Sequence, residues 1–475
     1  MTNELTTLSA AALSELIRTR RVSAVEVVRA HLDAIDRFNP VINAIVSMRP
    51  EEALHDARER DRQLAAGEWL GPLHGLPFAV KDLMDVAGIR TTHGSRIYAD
   101  HIAEADSVIS GRIRDAGAVF VGKTNVPEFG VGSHTFNDVF GATGNPYDLT
   151  RSAGGSSGGA AAAVTAGLLP VADGSDLGGS IRNPASFTNL VGLRPTAGRV
   201  ASARPGNAWD PGSVLGPLAR DVKDAALLLS VISAPERRAP LSIDEDPSLF
   251  RSLQPRSFHG ARIALSEDLG GLPLDPEVRQ ATLAAARLAE SLGAEVVPVE
   301  LDMSEADLVF ETFRSLEFLD GHGDDAARYP ELVKQTLKDD ISWTGSFTPA
   351  LIAKAGGART RLFRQFQALL GDYDLVLAPC VQVLPFPIEW EYPTEIDGIA
   401  MDKYYAWQRS CSRITATAMP ALSMPMTFSR AGLPIGVQFV GPYRGDRLLL
   451  EYGLSWEAAV ADVMARRPDL GEVAS

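Results

Sequence analysis

AGGSSGGAAAAV, residues Ala153–Val164, sets four glycines and two adjacent serines in front of four alanines in a row. Three readings compete for it: a flexible joint, a cradle for phosphate, or a turn that holds a serine for chemistry. A Gly/Ser joint should be polar on both sides and lie between domains. Here the run Ala160–Ala166 reads as a closely buried helix. A joint also leaves unexplained the next informative stretch, DGSDLGGSIRNPAS, which starts at Asp173.

Two other patterns bear on the choice. GGSSGG contains G-x-S-x-G twice, centred on Ser156 or Ser157, the pattern of the α/β-hydrolase nucleophile elbow. That elbow needs an apolar strand just before it, and NPYDLTRSA is not one. It also needs a histidine downstream, where only His259 and His322 remain, each readable as an ordinary loop or surface residue. Gly117-AVFV-Gly122-Lys123-Thr124 matches the phosphate-loop pattern letter for letter. Its AVFV is itself a strand-like run, however, and Asn125-Val126-Pro127 does not open a helix, which argues against a nucleotide site.

The 475 residues are 45% apolar and 22% charged, ordinary for a soluble α/β chain with a large core. The net charge is −15, and only seven of the 45 basic residues are lysines. No basic cluster stands out, so nucleic acid is not an expected partner. No run reaches the length of a membrane span, and MTNELTTLSAAALSELIRTRR lacks the apolar core of a signal peptide. Two cysteines, Cys380 and Cys411, make no disulfide framework; with the charge balance they point to the cytoplasm. His and Cys do not cluster with metal-ligand spacing, and no metal is expected.

Residues 7–37 read as two amphipathic helices, one with Leu13, Leu16 and Ile17 on a face, the other with Val25, Val28, His31 and Leu32. Ser23 and Glu26 form a capping box at the start of the second. From about residue 70 short apolar runs (PFAVKD, AVFVGKT) alternate with helical patterns such as SVISGRIRDAG, the texture of an α/β sheet with helices on its faces. ARIALSED, a helix over 275–293 and AEVVPVEL repeat it. Residues 302–375 look mostly helical, and 300–400 forms a cover over part of the sheet. DLVLAPC, a helix near 404–418, ALSMPMT and GVQFVGP return to the sheet.

The chemistry sits in Asp176-Leu177-Gly178-Gly179-Ser180. Glycines there allow several N–H groups to point at one spot beside a hydroxyl. Such a serine could attack a carbonyl while the amides bind the developing oxyanion. It needs a base, and no histidine lies nearby. Lysine serves if burial keeps it neutral. Lys81, in the apolar run PFAVKDLMDV, is a candidate, although taken alone it reads more readily as a partner of Asp82 or Asp85 at a strand end.

Together these pieces resemble the amidase signature family, serine hydrolases with a Ser–Ser–Lys triad. The resemblance is carried by GLPFAVKD (75–82), GKTNVPEFG (122–130), the block 153–200, GPLARDVKDAALLL (216–229) and ALSMPMTFSRAGLPIGVQFVGP (421–442). Lys81 lies 75 residues before Ser156, and Ser156 lies 24 before Ser180, as expected of that family. The resemblance implies one amidase domain over 1–475, built on a large, mixed, twisted sheet with helices on both faces. Its signature core spans about 60–230 and 415–455, with a variable, substrate-facing helical region at about 300–410. It implies Ser180 as acyl-forming nucleophile, Ser156 as the bridging serine after a cis peptide, and Lys81 as base. The amides of Leu177, Gly178, Gly179 and Ser180 become the oxyanion hole, with Asp176 and Arg182 bracing the loop.

No cofactor is implied, and the expected partner is a small-molecule amide, bound by a monomer or homodimer. Gly130, Val131, Gly132 and Ser133 are expected to line the acyl pocket. Trp209, Tyr404, Tyr405 and Trp407 read equally as pocket or core. Apolar and aromatic surface without an arginine pair favours neutral, fairly hydrophobic aryl or alkyl amides, with esters and carbamates as side substrates. The alternatives are a dicarboxylic-amide hydrolase, an amidotransferase subunit releasing ammonia from glutamine, and an α/β-hydrolase with a histidine base. GRVASARPGNAWDPGSVLGP stands where the transamidating subunit carries a serine-rich run, which favours a stand-alone hydrolase.

Overall fold

Ser9 and Ser23 start two helices, α1 (Ala10–Arg18) and α2 (Ala24–Ile42), in the computed structural model, which describes residues 2–203 and 206–471. The Ser23 hydroxyl accepts the Glu26 N–H at 3.1 Å while Glu26 accepts the Ser23 N–H at 2.8 Å, the reciprocal box that satisfies two otherwise orphaned donors. Leu13, Ile17, Val28, His31 and Leu32 turn inward and are buried; Leu16 and Val25 lie at the half-buried margins of the same stripes.

The strands form two ladders. β1 (Ile45–Val46), β2 (Pro77–Lys81) and β3 (Val119–Thr124) make a three-stranded sheet, ordered β1-β3-β2, with β2 and β3 parallel. The larger sheet contains β4 (Val171–Asp176), β5 (Val191–Arg194), β6 (Val214–Ala219), β7 (Arg262–Leu265), β8 (Glu295–Pro298), β9 (Leu375–Pro379), β10 (Ala421–Phe428) and β11 (Pro434–Val440). Its order is β8-β7-β9-β11-β10-β5-β6-β4, parallel from β8 to β9 and antiparallel beyond, hence mixed. This is the expected large, mixed central sheet, and the small ladder stands beside it without joining it. The break falls where β2 lies beside β4: the Lys81 N–H turns not to a strand carbonyl but to the Asp173 carboxylate, at 3.0 Å.

Helices α3 (Gly158–Thr165), α4 (Arg182–Phe187), α5 (Val222–Ile232), α6 (Pro276–Ser291), α7 (Ala306–Arg328), α8 (Gln335–Trp343), α9 (Pro349–Asp372), α10 (Arg409–Thr417) and α11 (Asp446–Ala459) cover the large sheet. The period of two divides its strands between the faces. Ile263, Leu265, Leu377, Leu422 and Phe439 pack with α5, α6 and α11. Ala264, Val376, Ala378, Ala421 and Val440 pack with α7, α9 and α10, and Ala172 and Leu218 pack with α3. The expected α/β architecture with both faces covered is therefore present, and α7–α9 fill the stretch expected to be helical. The helix expected near 404–418 begins only at Arg409, after a short 3-10 turn over Ala406–Gln408. Among the described residues no helix is long and apolar enough to cross a membrane.

Candidate active site

The Gly/Ser stretch becomes a turn followed by α3, every residue of which is buried. Small residues are needed there, because a Cβ on Gly159 would lie 2.8 Å from the Ala44 carbonyl oxygen and clash with Asn125 as well. The stretch is thus packed structure and no linker. The Gly155–Ser156 peptide bond is cis. Asn183 holds Gly155 from both sides, accepting its N–H at 3.0 Å and donating to its carbonyl at 2.7 Å.

Lys81 ends β2 with its side chain fully buried. Its Nζ contacts three hydroxyls, Ser156 Oγ at 2.8 Å, Ser157 Oγ at 2.8 Å and Ser175 Oγ at 2.9 Å. Burial lowers its pKa to about 7 against the opposing pull of Asp173 and Asp176. The three contacts serve either protonation state: an ammonium donates to all three hydroxyls, and a neutral amine donates to two and accepts from the third. Ser157 Oγ also lies 3.4 Å from the Ser175 carbonyl and accepts the Ser175 N–H at 3.3 Å, so its hydroxyl has a backbone acceptor to donate to. Ser156 Oγ instead faces Gly130, where a Cβ would lie 3.5 Å away. The expected alternative for Lys81, pairing with Asp82 or Asp85, does not occur. Adjacent strand residues point to opposite sides, and Asp82 meets Lys123 Nζ at 3.6 Å and the Thr92 hydroxyl at 2.6 Å.

Ser180, half-buried, follows β4 on a loop tied to the first serine turn by the Ser157 N–H, which donates to the Ser180 carbonyl at 3.2 Å. Asp176 organises that loop. It accepts the N–H of Gly179 at 2.9 Å and of Ile181 at 3.2 Å, and meets Arg182 through two bonds of 3.0 Å each. Arg194 joins it, and Arg182 reaches on to Gln438 at 3.0 Å and Thr415 at 3.1 Å. Burial alone would raise the Asp176 carboxyl, but Arg182 and Arg194 outweigh it and hold it well below the ordinary carboxylate range. Asp176 and Arg182, the two residues expected to brace the loop, are thus bonded to each other. Of the four amides expected in the oxyanion hole, the Gly179 N–H is taken by Asp176, whereas among the described residues those of Leu177, Gly178 and Ser180 have no internal acceptor. Gly179 is needed for shape instead, with φ 122° and a Cβ position only 2.5 Å from Cys411 Cβ.

The remaining expected residues divide. Gly130 lies against Ser156 and Leu83; Val131, Tyr404 and Tyr405 join Phe129, Phe310 and Phe318 in one aromatic cluster that also contacts Leu177. A Cβ on Gly178 would strike Phe310 at 2.8 Å, so this cluster abuts the candidate oxyanion loop. Ser133 donates to Gln408 Oε1. Trp407 belongs to the core, stacked on Phe187 with ring centres 5.9 Å apart. Trp209 is neither core nor an enclosed wall: it is 69% exposed on the loop leading to Gly212, which touches Leu177.

Sequence reasoning missed Ser157 and Ser175 as partners of Lys81, Asn183 as the clamp on Gly155, and Gln408, which accepts from Ser133 and whose Nε2 would lie 2.9 Å from a Cβ on Gly178. None carries a local pattern, because each acts across the fold. The competing motifs are structural. Lys123 is buried in β3 with Nζ bonded to Met84 O and to Thr91 Oγ1 at 3.0 Å, which leaves nothing of a phosphate loop. His259 packs against Gly293, and His322 stacks on Phe129 with ring centres 4.3 Å apart. Among the described residues no group of His, Cys, Asp and Glu could hold a metal ion. An amine whose pKa burial lowers to about 7, hydroxyls against it and a serine beneath unpaired amides form a set suited to acyl transfer.

Comparison with known proteins agrees in class. The sequence profile of the family described as Amidase matches residues 26–450. An acylamidase of Rhodococcus erythropolis is 34% identical over 459 residues, 95% of each chain. A glutamyl-tRNA(Gln) amidotransferase subunit of Acidothermus cellulolyticus is 35% identical over 489 residues, 96% of this chain and 95% of that one. Among solved structures, a bacterial aryl acylamidase of the amidase signature family superposes with a TM-score of 0.90 at 29% identity, covering 97% of this chain and 99% of that chain.

Proposed function

The chain belongs to the amidase family, and from that premise we propose that it is a stand-alone hydrolase of neutral aryl and alkyl amides, working through an acyl-enzyme on Ser180. Amide hydrolysis itself follows from the family and its acylamidase relatives. In the proposed cycle the lone pair of Lys81 accepts the Ser156 proton as Ser156 accepts that of Ser180. Ser180 Oγ attacks the amide carbon. The oxyanion is met by the N–H groups of Leu177, Gly178 and Ser180. The proton returns through Ser156 to the leaving nitrogen, and water then cleaves the ester by the same relay.

The observation that carries this reading is the buried Lys81 amine, surrounded by hydroxyls and lowered to about 7, a base available at neutral pH. The substrate class rests on the lining. Phe129, Val131, Phe310, Tyr404 and Tyr405 present apolar and aromatic surface beside the reactive loop, suited to an uncharged acyl or aryl body. These side chains come largely from the 300–410 segment, which we take as the substrate-facing part of one amidase unit. Esters and carbamates, which present the same carbonyl to the same nucleophile, are expected side substrates. The second reading, a glutamine-dependent subunit, is favoured by the amidotransferase relatives. A comparison of p-nitroacetanilide, a longer-chain anilide, an aryl carbamate, malonamic acid and glutamine at equal concentration decides. Faster turnover of glutamine or malonamic acid than of every neutral amide would overturn the proposal.

A further inference from the structure

The aromatic cluster beside Ser156 holds two cations that the proposed cycle does not use. Lys334 precedes α8, and its half-buried side chain reaches the Gly130–Ser133 loop: a Cβ on Gly132 would lie 3.2 Å from its Nζ. Two residues earlier on that loop, a Cβ on Gly130 would lie 3.5 Å from Ser156 Oγ. The Gly130–Ser133 loop thus touches the Lys334 ammonium at one glycine and the Ser156 hydroxyl at another, two residues away. Lys334 Nζ is also 5.8 Å from the Tyr404 ring centre, and the Arg314 guanidinium is 4.9 Å from the same ring.

Neither cation is fully answered by the protein. Arg314 is buried; its Nη2 meets Asp340 at 2.8 Å, but its Nη1 has no hydrogen-bond partner. The backbone N–H of Lys334 donates to Glu128 at 2.8 Å, yet among the described residues no carboxylate pairs with its Nζ. Burial lowers that ammonium to about 8, Glu391, Glu128 and Asp340 oppose the fall from farther away, and Arg314 adds to it. A desolvated cation without a close counter-charge costs stability unless a ligand completes it.

We propose that Lys334, with Arg314 behind it, forms an anion subsite at the far end of the acyl pocket, so that the enzyme also takes amides whose apolar acyl chain ends in a carboxylate. The proposal rests on the cleft assigned above and extends its substrate class to N-aryl monoamides of dicarboxylic acids. The lining next to Ser156 stays apolar, and charge is met only where the chain ends.

The test compares adipanilic acid with its methyl ester in the unmodified enzyme and in Lys334→Met, Lys334→Gln and Lys334→Arg, with unfolding midpoints as a folding control. The unmodified enzyme is expected to favour the acid. Lys334→Met and Lys334→Gln should lose about tenfold or more in kcat/KM for the acid, mainly through KM. Both should change the ester by less than about threefold, and Lys334→Arg should keep the preference. Equal losses on acid and ester, or no preference in the unmodified enzyme, overturn the subsite. If no anilide is turned over, the reading of the reaction has failed, and adipate decides the subsite alone. It should raise the melting temperature of the unmodified enzyme and not that of Lys334→Met, and no shift in either overturns it.

Discussion

The Gly179 amide donates to the Asp176 carboxylate at 2.9 Å, and the same carboxylate meets Arg182 through two bonds of 3.0 Å. The loop of the candidate nucleophile is therefore built on a fully buried ion pair. Asp176→Asn leaves two buried guanidiniums short of their counter-charge, which typically costs about 3–5 kcal/mol. Urea unfolding should show that loss, with activity falling alongside. Because the native carboxyl sits below its ordinary range, its contribution is present at neutral pH and disappears only as pH falls through that lowered value, in strong acid. An Asn variant as stable and as active as the unmodified protein would contradict the bracing role.

The three hydroxyls around Lys81 should differ in importance. A fluorophosphonate probe is expected to give one adduct by intact mass, mapped to Ser180, and none in Ser180→Ala. Ser156→Ala should cost on the order of 10²–10⁴ in kcat, the range of a positioned proton-transfer group. Ser157→Ala should cost less than about tenfold, or roughly 1.4 kcal/mol of barrier. Labelling of Ser157, or the reverse ranking of the two, would reassign the relay.

The pH profile follows from the direction of the Lys81 shift. Only the deprotonated amine accepts a proton, so kcat/KM should rise through about pH 7 to an alkaline plateau. Lys81→Arg, which stays protonated, should be inactive across the whole range. Initial rates on p-nitroacetanilide between about pH 5.5 and 9.5 check both statements; a maximum near pH 5 would exclude a lysine base.

Gly179→Ala places a methyl 2.5 Å from Cys411 Cβ at a residue with φ 122°. Backbone strain of this kind costs about 1–3 kcal/mol, and overpacking adds to it. Both lower the melting temperature and kcat. Adding Cys411→Gly to that variant should recover part of the stability while the φ cost remains.

A histidine base predicts a different pattern. His259→Ala and His322→Ala should each stay within about tenfold of the unmodified enzyme, since the proposed base is the hydroxyl-bound Lys81 amine. A thousandfold loss in either, with Lys81→Ala spared, would mark another enzyme class.

Much of this is legible in the sequence. PFAVK, VFVGKT and ALSMPMTF declare themselves as strands by β-branched and apolar runs, and the Ser23–Glu26 box is local chemistry. What a one-dimensional pattern cannot carry is competition for a partner. The glycines near Ser180 show where amides could gather, but that Asp176 claims one of them depends on how the carboxylate turns. Asp82 looks like a partner of Lys81 by adjacency, and strand geometry sends it to Lys123. Lys334 stands in a polar-looking stretch, YPELVKQT, and only the packing of α7 and α8 brings it to Gly132.

The place where the Asp173 side chain stands in for a strand carbonyl has a consequence for thermal history. Lys81 belongs to the small ladder and Ser180 to the end of the large one, so the two are joined across a seam without continuous backbone pairing. Cooperative units separate first where shared hydrogen bonds are fewest. On heating, turnover should fade at a temperature where far-ultraviolet dichroism still reports intact helices. Amides of β2 should exchange with deuterium sooner than those of β10 and β11, so heat inactivation would begin as a parting of two sheets before the sheets themselves melt.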